Sequence, residues 1–348
     1  MERYSQFRDR GSGIAPFLPI PAEPLGLQAP LRIFLFCFRL PLLIFVSLSY
    51  FLILQWLPIG SLGKKAALWC ILGVPSIWWV DLQVDGVRKG FVQPYISNKP
   101  HPTDLTARCR SLKQQQARLP QPGSVIASSF TSPIDAIYLA AIFDPIFTAS
   151  YPNTRQVERI SLFQAILRAF AVPSTQPAPN SRMVDVSTLV EQYPNRPIVL
   201  FPECTTTNGR GILTLSKSLL GVSPQTKIYP VSLRYTPMDI VTPLPGSYLS
   251  LLWTLLSKPT HCIRVRIAEC VTSSQAVLDT SPARSNKSTY TTNYLDTLDQ
   301  EQVSASEKAL LDSVAESLAR LGRVKRVGLG VKEKQEFSRA WSQSRRTW

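Results

Sequence analysis

Histidine is almost missing from this chain: 348 residues contain two, His101 and His261. Chemistry that needs an imidazole base therefore has two places to find one. Acidic side chains are scarce as well, with 23 Asp and Glu against 38 Lys and Arg, a formal net charge of +15. That excess favours an anionic partner, nucleic acid or an acidic membrane surface. Charged residues make up 18% and apolar residues 45% of the chain, against about 25% charge in a typical soluble protein. The cysteines, at 37, 70, 109, 204, 262 and 270, have neither metal-ligand spacing nor the density of a small disulfide scaffold. They fit reduced thiols in a cytosol-facing protein without a metal site. No internal repeat is present. The first long apolar run starts too late for a secretory signal, and no small-residue cleavage site follows it. The 29 prolines argue against a mostly helical bundle.

What is present divides the chain into four parts. Residues 1–30, rich in Pro, Gly and Arg, read as a mobile tail. Residues 31–80 read as a membrane anchor, one helix or a hairpin. From Leu40 to Gly63 no residue is charged, and such a helix is about 36 Å long at ~1.5 Å per residue, enough to cross a ~30 Å hydrocarbon core. Pro41 is expected near its start, where proline is tolerated. After Lys64 and Lys65 a second uncharged run, Ala66 to Val80, carries Trp69, Trp78 and Trp79. It is short for a span and suits an interfacial or re-entrant segment. Arg32 and Arg39 flank one side of the first run, and the two lysines flank the other. The positive-inside rule thus barely sets an orientation, and a hairpin with both ends cytosolic is preferred.

Residues 81–275 alternate strand-like and helix-like patterns, which predicts an α/β domain with a mixed sheet flanked by helices. Strands are predicted at Val80–Val84, Ser124–Ala127, Pro197–Leu200, Ile228–Leu233 and Ile263–Ile267, the last with Arg264 and Arg266 outward. Helices are predicted at Ala136–Phe147 and Leu162–Phe170. Residues 95–122 read as a long surface loop. The remaining part, 276–348, is a linker, a helix and a basic tail. Val303 to Leu321 shows helical spacing with Glu307 the one polar residue on its apolar stripe. Lys and Arg crowd the last stretch from Arg320 onward. This is either a solvated tail or a segment that docks on anionic lipid at about 1 kcal/mol per basic residue. No interleaved aromatic motif supports nucleic-acid binding.

The most informative stretch is Phe201-Pro202-Glu203-Cys204-Thr205-Thr206-Thr207-Asn208-Gly209, directly after the Pro197–Leu200 strand. Such a polar loop at a strand's C-terminal end suits an anionic or hydroxyl-bearing ligand, though Thr, Asn and Gly also favour ordinary turns. The stretch resembles the third motif, Phe-Pro-Glu-Gly-Thr, of the PlsC-like glycerolipid acyltransferases. Its Thr-Thr-Asn-Gly extension is similar to the lysophospholipid acyltransferase branch. Tyr229-Pro230-Val231-Ser232-Leu233-Arg234-Tyr235 resembles the fourth motif. Ser129-Phe130-Thr131-Ser132-Pro133-Ile134-Asp135 stands where the family has Asn-His-x-Ser-x-x-Asp. The three occur in family order within roughly residues 80–275.

The resemblance implies a membrane-bound enzyme that moves a fatty acyl group from acyl-CoA, its co-substrate, to a lysophospholipid such as lysophosphatidate, with no bound cofactor. It implies residence at the endoplasmic reticulum membrane or lipid droplets, with the catalytic domain in the cytosol. Its partners would be membrane lipids, and through the basic tail an anionic surface. By the same resemblance Asp135 takes the position that orients the catalytic base. Phe201, Pro202, Glu203, Cys204, Thr205, Thr206, Asn208 and Lys217 take the substrate-binding positions, Lys217 as a partner for phosphate. The family's arginine for that phosphate has no obvious counterpart; Arg155, Arg159 and Arg182 are candidates.

One position breaks the pattern. The family's base is a histidine, and here it is Phe130, which accepts no proton. General-base catalysis is worth about 10²–10⁴-fold. Either another group substitutes, with His101, His261 or Asp135 itself as candidates, or activity is weak, or the chain keeps the fold as a catalytically inactive membrane or lipid-droplet interaction protein. Cys204 stands for the motif's glycine. At φ > 0 it would carry roughly 1 kcal/mol of strain, and an acyl-enzyme through its thiol is a further alternative.

Overall fold

The structure is a computed structural model that describes residues 2–21, 26–57, 60–85, 118–274 and 304–346. At its centre is an eight-stranded mixed sheet. In chain order the strands are β1 (Ile77–Val84), β2 (Val125–Ser128), β3 (Ile146–Ala149), β4 (Val157–Ile160), β5 (Met183–Val184), β6 (Ile198–Leu200), β8 (Ile228–Thr236) and β9 (His261–Ile267), with β7 (Gly211–Ile212) outside it. Their spatial order is β1-β9-β8-β2-β6-β3-β4-β5. The central run β8, β2, β6 and β3 is parallel. β9 and β4 are antiparallel to their inner neighbours. A second small sheet pairs β7 with β10 (Lys325–Arg326).

The central strands are apolar on both faces, as parallel strands between helical layers must be. Ile126 and Val199 face the layer of α3 (Pro133–Phe143), whose Leu139 and Ala140 pack against them in one core. Val125, Ala127, Ile198 and Leu200 face the opposite layer, where α7 (Ala305–Gly322) contributes Leu310, Leu311, Val314 and Leu318. The polar break in the α7 stripe is its start: Ser304 accepts from the Glu307 amide and Glu307 accepts from the Ser304 amide, a reciprocal cap. Glu307 also pairs with Arg155 at 2.8 Å.

Several expectations are revised. The apolar run 136–147 is a helix followed by a strand: α3 ends at Phe143, Asp144 adopts φ 48°, and β3 starts at Ile146. Pro145 has no amide hydrogen for a further helical turn, so the chain breaks there. The run Ala66–Val80 also divides, into α2 (Ser61–Gly73), which buries Leu68, Ile71 and Leu72, and the edge strand β1, whose Trp78 and Trp79 are exposed. Residues 1–30, expected as a mobile tail, carry a short helix at Glu2–Phe7 and bury Phe7 and Phe17 against Phe337. The basic tail folds as α8 (Val331–Arg346), with Lys334 and Phe337 buried. The surface loop expected at 95–122 lies almost wholly outside the described residues.

The apolar helix α1 spans Ala29–Leu48 and runs on as a π-helical turn over Ser49–Leu54. The segment is long and apolar enough to cross a membrane. It starts earlier than the uncharged run, so Pro41 lies inside it. Arg39 fastens α1 to the domain. Its guanidinium donates to the Lys258 carbonyl and to Ser76 Oγ, both at 2.6 Å, and more loosely to the Leu256 and Pro259 carbonyls. Leu43, Val46, Phe51 and Leu54 pack on the core, whereas Phe34, Phe38, Phe45 and Leu52 are exposed.

That exposed face should hold the chain on membranes. The full-length protein is expected in the pellet after carbonate extraction. Replacing Phe34, Phe38, Phe45 and Leu52 together by serine removes about 1.5–3 kcal/mol of apolar transfer at each position and should move most of it to the supernatant. Unchanged pelleting of this variant would show that α1 is not the anchor.

Candidate active site

The three motif-like stretches come together because β2 lies between β6 and β8 and runs parallel to both. Residues 129–135 and 201–209 leave β2 and β6 on the same side, and residues 229–235 belong to β8, which runs on beside them. Direct bonds join the stretches: the Thr207 amide donates to the Phe130 carbonyl at 3.1 Å, the Ser129 amide to the Val231 carbonyl at 3.0 Å, and the Leu233 amide to Ser129 Oγ at 3.2 Å.

Asp135 is the hub. It lies in the first turn of α3, fully buried. Its Oδ2 accepts from the Thr131 amide at 2.7 Å, the Ser132 amide at 2.9 Å and Thr131 Oγ1 at 3.2 Å. Its Oδ1 accepts from the Tyr235 hydroxyl. Burial raises its pKa to about 6, and the Tyr235, Thr131 and Ser132 donors limit the rise. The base slot is filled by Phe130, which stacks on Phe201 with ring centroids 4.3 Å apart and planes 25° apart. Of the substitutes considered, His261 is not at hand. His261 is buried on β9 with Nε2 against the Leu255 carbonyl at 2.8 Å, and burial lowers its pKa. His101 lies outside the described residues. Asp135 has both oxygens committed to the four donors named above.

Comparison with curated proteins finds two relatives of modest identity. The chain is 24% identical over 272 residues, 77% of its length and 84% of the relative's, to a protein of Schizosaccharomyces pombe provisionally named lysophosphatidic acid:oleoyl-CoA acyltransferase. It is 24% identical over 217 residues, 62% of its length and 61% of the relative's, to lysophosphatidic acid:oleoyl-CoA acyltransferase 1 of Saccharomyces cerevisiae. The similarity supports an acyltransferase family. No protein-family model matches the chain.

In this acyltransferase-like site the motif loop looks largely inward. Phe201, Pro202, Glu203, Thr205, Thr206 and Asn208 are buried. Asn208 donates its side-chain amide to the Ala15 and Leu18 carbonyls at 2.8 and 2.9 Å, so it holds the N-terminal segment. Thr206 Oγ1 donates to the Thr242 carbonyl at 2.6 Å and accepts from Lys334 Nζ at 2.9 Å. Lys334 Nζ also donates to the Thr206 carbonyl at 2.5 Å. Burial lowers the pKa of that ammonium to about 7, while the charge of Glu203 opposes the fall. Sequence reasoning missed Lys334. The signal was available: Val331, Phe337 and Trp341 fall at helical spacing, and Lys334 shares their face.

Cys204 takes φ 58°, the left-handed region that the family's glycine enters freely. It is half-buried, and burial pushes its thiol up to about 12. A thiol kept protonated is a poor nucleophile, so an acyl-enzyme at Cys204 is not supported. The residue borders two spaces. One is a narrow cleft of about 10 Å³ with Phe130, Phe201, Ser150 and Arg168. The other is a cavity of about 300 Å³ with Lys217, Lys332, Ser216 and Asn153. Of the arginines considered, Arg155 is paired with Glu307 and Arg159 bonds Tyr193 Oη at 2.5 Å. Neither they nor Arg182 line these spaces; Arg168, in the last turn of α4 (Leu162–Arg168), does.

Glu203 Oε2 accepts from the Leu213 amide at 3.2 Å, whereas Oε1 makes no well-formed hydrogen bond among the described residues. Burial pushes its pKa up to about 8; the charge of Asp135 adds to the rise, and the Leu213 and Phe130 amides and Lys334 limit it. Between its ordinary value of 4.5 and about 8 the unfolded chain has released this proton while the folded chain keeps it. Glu203 therefore makes the fold less stable as pH rises through that window. Glu203→Gln keeps an acceptor for Leu213 and cannot titrate. In urea unfolding at pH 5, 6.5 and 8, its stability relative to the native chain should improve steadily with pH. A constant difference would mean that Glu203 is ionised in the fold.

Proposed function

We propose that this chain is an acyl-CoA-dependent acyltransferase that acylates lysophosphatidate. The reading is carried by the convergence of residues 129–135 and 201–209, which leave two adjacent parallel strands, on residues 229–235 of the neighbouring strand β8, and is supported by the relatives' names. Acyl-CoA is the co-substrate. The exposed apolar face of α1 supports membrane residence, at the endoplasmic reticulum or lipid droplets, with the domain in the cytosol.

In this reading the acceptor phosphate occupies the cavity beside Cys204, paired with Lys217 and Lys332. The acceptor hydroxyl attacks the thioester carbonyl, the carbon–sulfur bond breaks, and CoA leaves as a thiol. Phe130 takes no proton. The hydroxyl proton passes to the departing thiolate, whose ordinary pKa is about 8.5. The chain then relies on proximity and on fixed charge rather than on a side-chain base.

The test is single-turnover transfer from oleoyl-CoA to lysophosphatidate by the full chain in detergent. Native protein should be slow. Phe130→His should raise the rate at least roughly tenfold, the low end of what a general base contributes. Because Tyr235 already occupies Asp135 Oδ1, adding Tyr235→Phe should raise it further, and adding Asp135→Ala should abolish the gain. No transfer by any of these proteins would leave the chain as a lipid-binding relative. Fast native turnover that Phe130→His lowers would reveal another base.

The phosphate assignment is tested separately. Lys217→Ala with Lys332→Ala should raise KM for lysophosphatidate roughly tenfold or more, since a charged hydrogen bond is worth about 1.5–3 kcal/mol, with kcat changed far less. An unchanged KM would place the phosphate elsewhere.

A further inference from the structure

A second basic cleft lies apart from the motif loops, at the far end of the apolar segment. It has a volume of about 280 Å³ and is lined by Lys64, Lys65, Arg159 and Arg196, with Tyr50 and Gln55 from the end of that segment. Asp144 is its one lining carboxylate, and Arg196 claims it at 2.5 Å. Lys64, Lys65 and Arg159 have no carboxylate partner among the described residues. Lys64 Nζ reaches the Gln55 carbonyl at 3.3 Å and Lys65 Nζ the Ile142 carbonyl at 2.9 Å. An ammonium carries three donors, so each lysine has two left over.

The position of the lysines makes the excess unusual. They follow the first three residues of α2, at the helix end whose exposed amides are already positive, and no acidic residue lies in that turn. Cations are disfavoured at that end and anions are attracted to it. Two half-buried lysines there, with an arginine across the cleft and no free carboxylate in its lining, make the cleft complementary to an anion.

The surroundings say what carries the anion. Trp56, Leu57 and Leu62, beside the cleft in sequence, are all exposed, and tryptophan favours the level of lipid headgroups. The volume is slightly below the ~300–1,000 Å³ of pockets that enclose a whole drug-sized ligand. We infer that this cleft binds the phosphate of an anionic membrane glycerophospholipid, headgroup inside and acyl chains along the exposed face of α1. None of residues 129–135 or 201–209 lines it, so the inference does not depend on the acyl-transfer reading.

The experiment uses the full chain in mild detergent and native mass spectrometry, with dioleoylphosphatidylglycerol, dioleoylphosphatidylcholine and sn-glycerol 3-phosphate as probes. The native protein should retain phosphatidylglycerol in preference to phosphatidylcholine. Lys64→Gln with Lys65→Gln should lower that retention at least fivefold, and Lys64→Arg with Lys65→Arg should restore it. If the glutamine variant does not fold, Arg159→Gln is read instead and should lower retention at least twofold. Equal retention by native and charge-removed proteins overturns the site. Displacement of the lipid by millimolar glycerol 3-phosphate overturns the lipid assignment in favour of a free phosphate ester.

Discussion

The Asp135 carboxylate ties the site together. It caps α3, closes the turn that leaves β2, and receives the Tyr235 hydroxyl from β8. An isolated buried carboxylate is costly; four donors make it tolerable and fix three elements relative to one another. The residue to which the acyltransferase resemblance gives an orienting role thus has a structural task of its own, independent of any histidine. Retention of the aspartate alone says nothing about activity. The contact between Phe130 and Phe201 is the complementary half: the two rings stack at 4.3 Å and tie the loop after β2 to the loop after β6.

Both ends of the chain then close over the motif loop. Asn208 grips residues 15–18 from the N-terminal side, and Lys334 reaches in from α8 to Thr206. These bonds use the polar groups that the loop's composition suggests for a ligand. What still borders open space is a different set: Cys204, Lys217, Lys332 and Arg168. Three of these lie outside the motif stretches, so these spaces are shaped by tertiary packing of α4, of the turn at Lys217 and of α8.

Much of this was legible in the sequence. The strands near 80, 125, 198, 228 and 263 follow from short apolar runs between turn residues, whereas the antiparallel pairing of the last with β8 leaves no such local sign. The C-terminal helix was legible from its stripe, and even its odd polar residue has a local explanation, a cap. The terminal segments were harder. A stretch rich in Pro, Gly and Arg looks unfolded by composition, yet Phe7 and Phe17 are apolar side chains that need a partner, and Phe337 supplies it from the other end of the sequence. Pairings across such a separation leave no local periodicity to read. The inward turn of Thr206 and Asn208 was hidden for the same reason.

The apolar segment shows how tertiary contacts change a membrane argument. Length and hydropathy alone describe a span. Arg39 alters that, because an arginine near the middle of a lipid-exposed helix costs about 2.5–3.5 kcal/mol, whereas here its donors reach three backbone carbonyls and a serine hydroxyl of the domain. The arginine therefore fixes the helix at the depth of the domain surface. From Arg39 to Leu54 the helix extends about 22 Å at ~1.5 Å per residue, short of a ~30 Å core, and one face of that length is already packed on the sheet domain. A helix held in this way keeps its inner face on protein and leaves its outer face exposed. Under the proposed membrane residence this would set the domain against the membrane, with the Lys64 and Lys65 cleft near headgroup level.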